Sequence, residues 1–454
     1  MARTLAAVAE AVHGRLVGAD APFGDVGTDT RTLRRGALFV ALRGERYDGN
    51  AFVADAAAKG AAGALVSARS PAALPQIEVA DTRAALGQMA RAWRAGFSIP
   101  VVAVTGSSGK TTVKELIAAI LGVSRRVCVT QGNLNNDIGL PLTLMRLAPE
   151  HEAAVVELGA NHAGEIDALA RIAAPRVGVI TNAGAAHLEG FGSLAGVAAA
   201  KGELLDHLPP DGAAVLNADD AFVGEWRARS RAGHVLTFGV RSRADFMPAG
   251  EPEFGASGAR FAMTTPGGNV EVELPLLGLQ NVANALAAAA AAHAAGAGPA
   301  EIAAGLARAV PVRGRMTALP GRGGSRVVDD SYNANPSSAR AALDYLATVA
   351  DGRIFVLGDM LELGPDAAAL HRDVGAYAQG RCDRLITIGT LSRHAAAAFG
   401  ERAAAFDDVE SAIAEIVPAL AEGVTVLVKG SRAMGLERVV AALAAPVGTE
   451  GAPC

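Results

Sequence analysis

Short, unbroken apolar runs alternate along this chain with longer stretches whose apolar residues return at helical spacing. Residues 101–104, 153–156, 177–180 and 213–216 are such runs, short and rich in Val, Ile, Leu and Ala. That is the signature of strands buried on both faces. Val113, Leu116 and Ile117 open a helical pattern behind the first of them. The resulting β-α-β alternation over 99–312 predicts a mostly parallel sheet covered on both faces. Residues 231–275 break the rhythm with shorter strand-like runs around Pro266-Gly267-Gly268, which predict antiparallel hairpin strands on one edge.

The flanking segments are also α/β. Before residue 99 the pattern predicts an amphipathic helix over 1–14, strands at 36–42 and 64–66, and a helix at 54–60. Ser98-Ile99-Pro100 is a natural joint, because Pro disfavours helix at the residue before it. From Arg313 onward strands are expected at 326–328, 354–357, 385–388 and 424–428, with helices between them and one beginning at Ser337. No G-x-G-x-x-G opens this last part, which reads as doubly wound without a dinucleotide site. The predicted organisation is three α/β domains, 1–98, 99–312 and 313–454. The 454-residue length agrees, at about 150 residues per domain.

Composition mostly excludes. A net charge of −5 gives no basic footprint for nucleic acid. The 51% hydrophobic content is swollen by alanine, and the run 285–292 reads as a buried helix rather than a membrane span. Glu10 and His13 interrupt the apolar pattern near the start, so no signal peptide is expected. Cys128, Cys382 and Cys454 are too few and too scattered for a disulfide framework or a zinc site. A cytoplasmic protein without membrane insertion is expected.

The densest chemistry follows the strand at 101–104. Thr105-Gly106-Ser107-Ser108-Gly109-Lys110-Thr111-Thr112 is a phosphate-binding loop between strand and helix, with Val104 where the longer form of the motif has its first Gly. ATP or a close relative is the expected ligand, with Lys110 on the outer phosphates and the Thr111 hydroxyl on Mg²⁺. Only five of 41 basic residues are Lys: Lys59, Lys110, Lys114, Lys201 and Lys429. A chain that otherwise uses Arg keeps Lys where a primary amine is needed. Lys201 and Lys429 are singled out on that ground, with an ordinary helix-surface role as the alternative.

Other polar groups fall just past apolar strands, where open parallel sheets collect ligands. Glu157 ends one strand and is either a Mg²⁺ carboxylate or a solvent-facing strand end. His187 sits in a small-residue loop after another strand, either functional or structural. Asn281 and Asn284, three apart on one helix face, suit a purine edge or a helix cap. The segment 329–336, Asp-Asp-Ser-Tyr-Asn-Ala-Asn-Pro, holds more hydrogen-bonding groups than a turn requires.

Taken in order, these segments resemble the Mur ligases, ATP-dependent amide-forming enzymes of peptidoglycan precursor synthesis. The resemblance runs through 28–31, 39–49, 105–112, 132–136, 157–162, 182–192, 200–203, 217–220, Asn281, 313–315, 329–336, 357–364 and 429–432. It implies a central P-loop ATPase domain, an N-terminal domain for a UDP-linked substrate and a C-terminal Rossmann-like domain. Gly106, Ser107, Ser108, Gly109, Lys110, Thr111 and Thr112 would then hold the phosphates. Asn281 would contact adenine, Asp330 the ribose and Arg315 the γ-phosphate. Thr111 and Glu157 would serve one Mg²⁺ and His187 a second. Lys201 matches the family lysine that captures CO₂ as a carbamate and becomes an anionic metal ligand. Lys110, His187, Lys201 and Arg315 form the implied catalytic set.

Thr28, Asp29, Thr30, Arg31, Arg43, Asp48 and Gly49 would hold the UDP-sugar by the same resemblance. Asn133 and Asn136 would lie near the muramoyl-peptide portion, and Asn333, Asn335, Ser431 and Arg432 near an incoming dipeptide. The implied reaction joins D-alanyl-D-alanine to UDP-N-acetylmuramoyl-tripeptide through an acyl phosphate, carried out by a monomer. Rival readings are the ligase adding the third peptide residue, a folylpolyglutamate synthetase-like ligase and a non-enzymatic nucleotide switch. The first lacks its Asp-Asn-Pro-Arg signature here, since 357–364 read Leu-Gly-Asp-Met-Leu-Glu-Leu-Gly.

Overall fold

The computed structural model describes residues 3–349 and 352–446, so Cys454 lies outside the described residues. The first helix, Leu5–Ala11, starts where Thr4 Oγ1 accepts the Ala7 N–H at 3.3 Å and buries Leu5, Val8 and Ala9. It belongs to a unit built on five short strands in the order Arg15–Val17, Gln76–Glu78, Gly63–Val66, Leu38–Val40, Val26–Gly27. Only the Arg15–Val17 strand is antiparallel to its neighbour. The helix Thr82–Arg94 carries the chain onward, its first amides capped by the Asp81 carboxylate. Its buried face shares one apolar cluster with Val101, Ala103 and Leu140 of the next unit.

The central sheet has six strands, all parallel. Their order is His234–Phe238, Ala213–Asn217, Val177–Ile180, Val101–Thr105, Ala153–Glu157, Val127–Val129. The chain first builds outward from Val101–Thr105 on one side, then returns to add Val177–Ile180 on the other. That reversal opens a crevice at the carboxyl end of Val101–Thr105, the position where such sheets bind ligands. The phosphate loop lies in it.

Behind the loop, helix Lys110–Leu121 packs against Leu279–Ala294, whose residues 285–292, seven alanines and Leu286, are all fully buried. Alanine's excess is thereby explained, since small side chains let two helices and a sheet approach closely. Gly305, in helix Pro299–Ala307, approaches the same helix so nearly that a Cβ there would lie 2.7 Å from Ile120 N and overlap its Cα. Residues 231–275 meet the sequence expectation in part: Gly258–Thr265 and Gly268–Leu274 do form an antiparallel hairpin around Pro266-Gly267. His234–Phe238 extends the parallel sheet instead of forming a hairpin, because it pairs directly beside Ala213–Asn217. The antiparallel strands, Met247–Pro248, Glu253–Gly255, Gly258–Thr265 and Gly268–Leu274, make a separate small sheet.

The last unit is a six-stranded sheet ordered Thr317–Pro320, Arg326–Asp330, Thr425–Lys429, Arg353–Gly358, Arg384–Ile388, Ala403–Phe406. Only the first strand is antiparallel. Thr317–Pro320 escapes the sequence reading because it alternates exposure at a sheet edge, and Ala403–Phe406 because its alanines suit a helix better than a strand. The helix expected from Ser337 begins at Pro336, with Asn335 as its cap.

Gly305→Ala is expected to cost about 1–3 kcal/mol, the usual range for overpacking a filled core. The measurement is the denaturant midpoint, and an unchanged midpoint contradicts this close helix contact.

Candidate active site

The phosphate loop is shaped by its neighbours. Gly109 has φ of 81°, and a side chain there would collide with Asn284 Oδ1, so glycine is required on two counts. Asn182 holds the loop from the adjacent strand end: its carbonyl accepts Ser107 N–H and its Oδ1 accepts Ser108 N–H, both at 3.0 Å. The helical ladder begins with Val113 N–H donating to Gly109 O at 2.8 Å. The amides of Lys110, Thr111 and Thr112 therefore have no intrahelical acceptor and present positive partial charge at the helix mouth. Lys110 Nζ donates back to Gly106 O at 2.7 Å. Burial lowers the Lys110 pKa; Glu157 opposes that shift and Arg315 adds to it.

Glu157 is not a solvent-facing strand end. It is buried, accepts the Thr111 hydroxyl at 2.8 Å through Oε2 and accepts Asn135 Nδ2 at 2.7 Å through Oε1. Its own N–H donates to Thr130 Oγ1 at 3.1 Å, and the Thr130 carbonyl in turn accepts the fully buried Lys114 Nζ at 2.7 Å. Lys114, Thr130 and Asn135 thus brace the carboxylate. From the C-terminal unit Arg315 Nη2 donates to the same Thr111 hydroxyl at 2.9 Å, while its guanidinium stacks 4.3 Å over the Tyr332 ring.

Lys201 is likewise no surface lysine. It is buried near the end of helix Leu194–Gly202, with Nζ 3.5 Å from Ala160 O and 5.0 Å from the Phe191 ring. Burial, reinforced by Lys110 and opposed by Glu165 and Glu203, brings its pKa down to about 7. His187 has φ of 54° and approaches Glu362 of the C-terminal unit, Nδ1 to Oε2 at 2.5 Å. Burial lowers its pKa, with Glu362 pulling the other way and Lys110 and Lys201 adding to the fall.

A cavity of about 1220 Å³ runs between the central and C-terminal units. Ser107 through Thr112, Asn133, Asn136, Glu157, His187, Asn281, Arg315, Asp330, Asn333 and Asn335 all line it. Asn281 donates to Leu277 O at 2.8 Å and accepts Asn284 Nδ2 at 2.9 Å, and neither side chain caps the helix, whose cap position is Gly278. Asp330 is buried and takes Lys429 Nζ at 2.6 Å and Met316 N–H at 3.2 Å; burial raises its pKa against the pull of Lys429. Lys429, singled out by lysine scarcity, also donates to Asn333 O at 3.0 Å and lines the cavity.

Several implied substrate residues have structural duties. Asn136 Oδ1 accepts Gly139 N–H at 2.9 Å and Asn335 Oδ1 accepts Ser338 N–H at 2.9 Å, each starting a helix. Ser431 is buried and accepts Leu361 N–H. Arg432 is exposed, 5.5 Å from the Tyr332 ring. In the N-terminal unit Thr28 is half-buried, Asp29 pairs with Arg31 at 2.7 Å, Thr30 O accepts Lys59, and the backbone of Arg43 pairs antiparallel with that of Asp48, whose side chain caps the turn at Gly49. These seven do not line the cavity. Arg83 of the same unit does, hydrogen-bonded to Asp137 at 2.9 Å. No motif in the sequence marks Arg83.

Among the described residues no three His, Cys, Asp or Glu side chains form a metal cage. Mg²⁺ characteristically takes one or two carboxylates together with substrate phosphates. The Thr111 hydroxyl and Glu157 carboxylate at the loop mouth suit that mode of binding. No helix of the described residues is long and apolar enough to cross a membrane.

Known proteins agree with this arrangement. A Mur ligase middle-domain model matches residues 104–292, a Mur ligase glutamate ligase domain 314–432, and a Mur ligase family catalytic domain 23–94. The UDP-N-acetylmuramoyl-tripeptide–D-alanyl-D-alanine ligase of Escherichia coli (strain K12) is 44% identical over 398 residues, 87% of this chain and 88% of its own. MurF from Acinetobacter baumannii superposes with a TM-score of 0.90 at 36% identity, covering 96% of this chain and 97% of that one. MurF from Thermotoga maritima, in complex with ADP, gives 0.84 at 27% identity over 92% and 96%. With sequence and fold in agreement over almost the whole length, the chain belongs to the Mur ligase family.

Proposed function

We propose that the chain is the ATP-dependent ligase that joins D-alanyl-D-alanine to UDP-N-acetylmuramoyl-tripeptide, releasing ADP and phosphate. The observation that carries this reading is the meeting of Lys110, Thr111, Glu157 and Arg315, from two domains, at one helix mouth. The tripeptide carboxylate attacks the γ-phosphoryl group of ATP. The oxygen–phosphorus bond to ADP breaks, and an acyl phosphate forms. The amine of the dipeptide then attacks the acyl carbon, phosphate leaves with the C–O bond electrons, and the amine loses a proton.

Lys110 and the loop amides hold phosphate oxygens, and Arg315 meets the charge that spreads as phosphoryl moves. Thr111 and Glu157 would hold a Mg²⁺, with His187 and Lys201 serving a second, and the metal would supply neutralising charge to phosphate oxygens. Asn281 and Asp330 bind the nucleoside in this reading, which their position on the cavity wall supports. Because an acyl phosphate hydrolyses readily, a site shared by two domains that exclude water serves the chemistry. Arg83, Asn133 and Asn136 line the end nearest the N-terminal unit and favour the muramoyl-peptide there, with Arg432 and Asn333 on the dipeptide side.

Lys201 suits a carbamate. A pKa near 7 leaves much of its amine neutral at neutral pH, and a neutral amine adds to CO₂, losing one proton to give an anionic carbamate. The product reverses the sign of this buried charge, so the influence of Lys110, which adds to burial in lowering the amine, turns to attraction.

Phosphate release from ATP is expected to require both UDP-N-acetylmuramoyl-tripeptide and D-alanyl-D-alanine. Turnover with UDP-N-acetylmuramoyl-dipeptide and a free amino acid instead would assign the chain to the preceding step. Lys201→Arg is expected to fold normally yet lose at least about 10–100-fold in turnover, as sites supporting a metal do. Added bicarbonate should not restore it, and near-normal turnover of this variant would refute the carbamate.

A further inference from the structure

Among the described residues, four Lys or Arg side chains line the interdomain cavity: Arg83, Lys110, Arg315 and Lys429. Three of them are already committed. Lys110 and Arg315 converge on the loop mouth, where the phosphates belong. Lys429 is buried and directs its charge at Asp330, with a second hydrogen bond to Asn333 O. Arg83 alone comes from the N-terminal unit, on the helix Thr82–Arg94. That helix does not need its side chain. Asp81 Oδ1 accepts Arg83 N–H at 2.8 Å and Ala84 N–H at 3.1 Å, and Thr82 Oγ1 donates to Ala41 O at 2.9 Å, which anchors the first turn to its own sheet.

The guanidinium is projected across the domain boundary instead. Its Nη2 donates to Asp137 Oδ1 at 2.9 Å, and its Nε pairs with Asp137 Oδ2. This pairing occupies one edge of a planar fork that carries five N–H donors, and leaves the Nη1–Nη2 edge without a protein partner. The two side chains are 51% and 48% exposed, so a ligand can reach that edge. An exposed ion pair adds little to stability, and folding alone does not account for it. Asp137 also connects the fork with the reaction centre. Two residues before it, Asn135 Nδ2 donates to Glu157 Oε1 at 2.7 Å. Two residues of chain span at most about 7 Å. A peptide whose terminal carboxylate reacts at Lys110 and Arg315, laid along this loop, therefore passes Arg83 with its earlier residues.

We propose that Arg83 is a specificity-determining residue: its unpaired edge binds a carboxylate of the muramoyl-tripeptide other than the one that is activated, while Asp137 holds the guanidinium plane in place. A carboxylate matches that edge as a bidentate partner. The inference rests on the ligase reading and deepens it, because it makes the accepted peptide an acidic one. Glutamyl and diaminopimelyl residues each bring a spare carboxylate, whereas a lysyl residue does not. The UDP diphosphate is the rival anion, but the residues matched to the UDP-sugar do not line this cavity.

The test measures binding of UDP-N-acetylmuramoyl-tripeptides to the full chain by titration calorimetry, with magnesium and a non-hydrolysable ATP analogue present, alongside KM in turnover. Three peptides are compared: one with free glutamyl and diaminopimelyl carboxylates, one with the glutamyl carboxylate amidated, and one with lysine in place of diaminopimelate. Arg83→Ala should weaken binding of the first by about 10–100-fold, the loss expected when hydrogen bonds to a charged group are removed. KM for ATP and for D-alanyl-D-alanine should stay within about threefold, which also shows that the variant is folded. One of the two altered peptides should bind the unmodified chain about 10–100-fold more weakly than the first, a comparison that needs no variant. R83A should bind that same peptide and the first within about twofold of each other, and the peptide that behaves so identifies the carboxylate. Equal weakening of R83A toward all three peptides would assign the guanidinium to the diphosphate or to an interdomain strut and overturn the proposal. An unmodified chain indifferent to both changes, or a loss below about twofold in R83A, would overturn it as well. An unmodified chain that binds none of the peptides would sink the ligase reading, and this inference with it.

Discussion

Burial of cations at the loop mouth is the constraint on which the site is arranged. Burial is the first cause that lowers the pKa of both Lys110 and Lys201; Arg315 adds to it at Lys110, where Glu157 opposes it, and Lys110 adds to it at Lys201. A folded chain does not gather like charges in a half-dry crevice for stability; burial of unpaired charge is costly. The arrangement is relieved by a polyanion with its metal, which is the ligand that the helix mouth also favours. Much of the surrounding structure can be understood as holding that cluster in place. Lys114 and Thr130 fix Glu157, Asn182 shapes the loop, and the alanine helix lets the loop helix sit close to its support.

Division of the site between domains follows from the same chemistry. The nucleotide end is built on the central sheet, whereas Arg315, Asp330, Lys429 and Glu362 come from the C-terminal one. Neither domain alone offers the full set. A reactive acyl phosphate needs shelter only while it exists, and a site that is completed by docking provides shelter and alignment together. His187 and Glu362, both with φ in the left-handed region, face each other across this division.

The sequence carried the scaffold of this account and less of its wiring. The buried parallel strands are legible because both their faces are covered, leaving unbroken apolar runs such as 101–104. The phosphate loop is legible because its chemistry is local. Lys201 looked like a helix-surface residue, since burial by Ala160 and Phe191 depends on segments 10 and 41 positions away. Its identity emerged from lysine scarcity and family resemblance, not from its neighbourhood. Ser431 lay in a motif attributed to substrate, yet its hydroxyl supports Leu361, and Asn335 caps a helix. Arg83 was unmarked, and Glu362 was read only as part of the 357–364 segment, because the contacts of each cross a domain boundary. His234–Phe238 was misplaced for a related reason, as pairing beside Ala213–Asn217 is a tertiary fact.

The central claim is that phosphoryl transfer to a carboxylate precedes amide formation in this cleft. It is tested most directly by supplying the muramoyl-tripeptide with ¹⁸O in its terminal carboxylate and analysing the inorganic phosphate released during ligation. Transfer of one labelled oxygen per turnover into phosphate is the predicted result, because the acyl carbon surrenders that oxygen when the amine attacks. Phosphate free of label, with the amide nevertheless formed, would contradict the account.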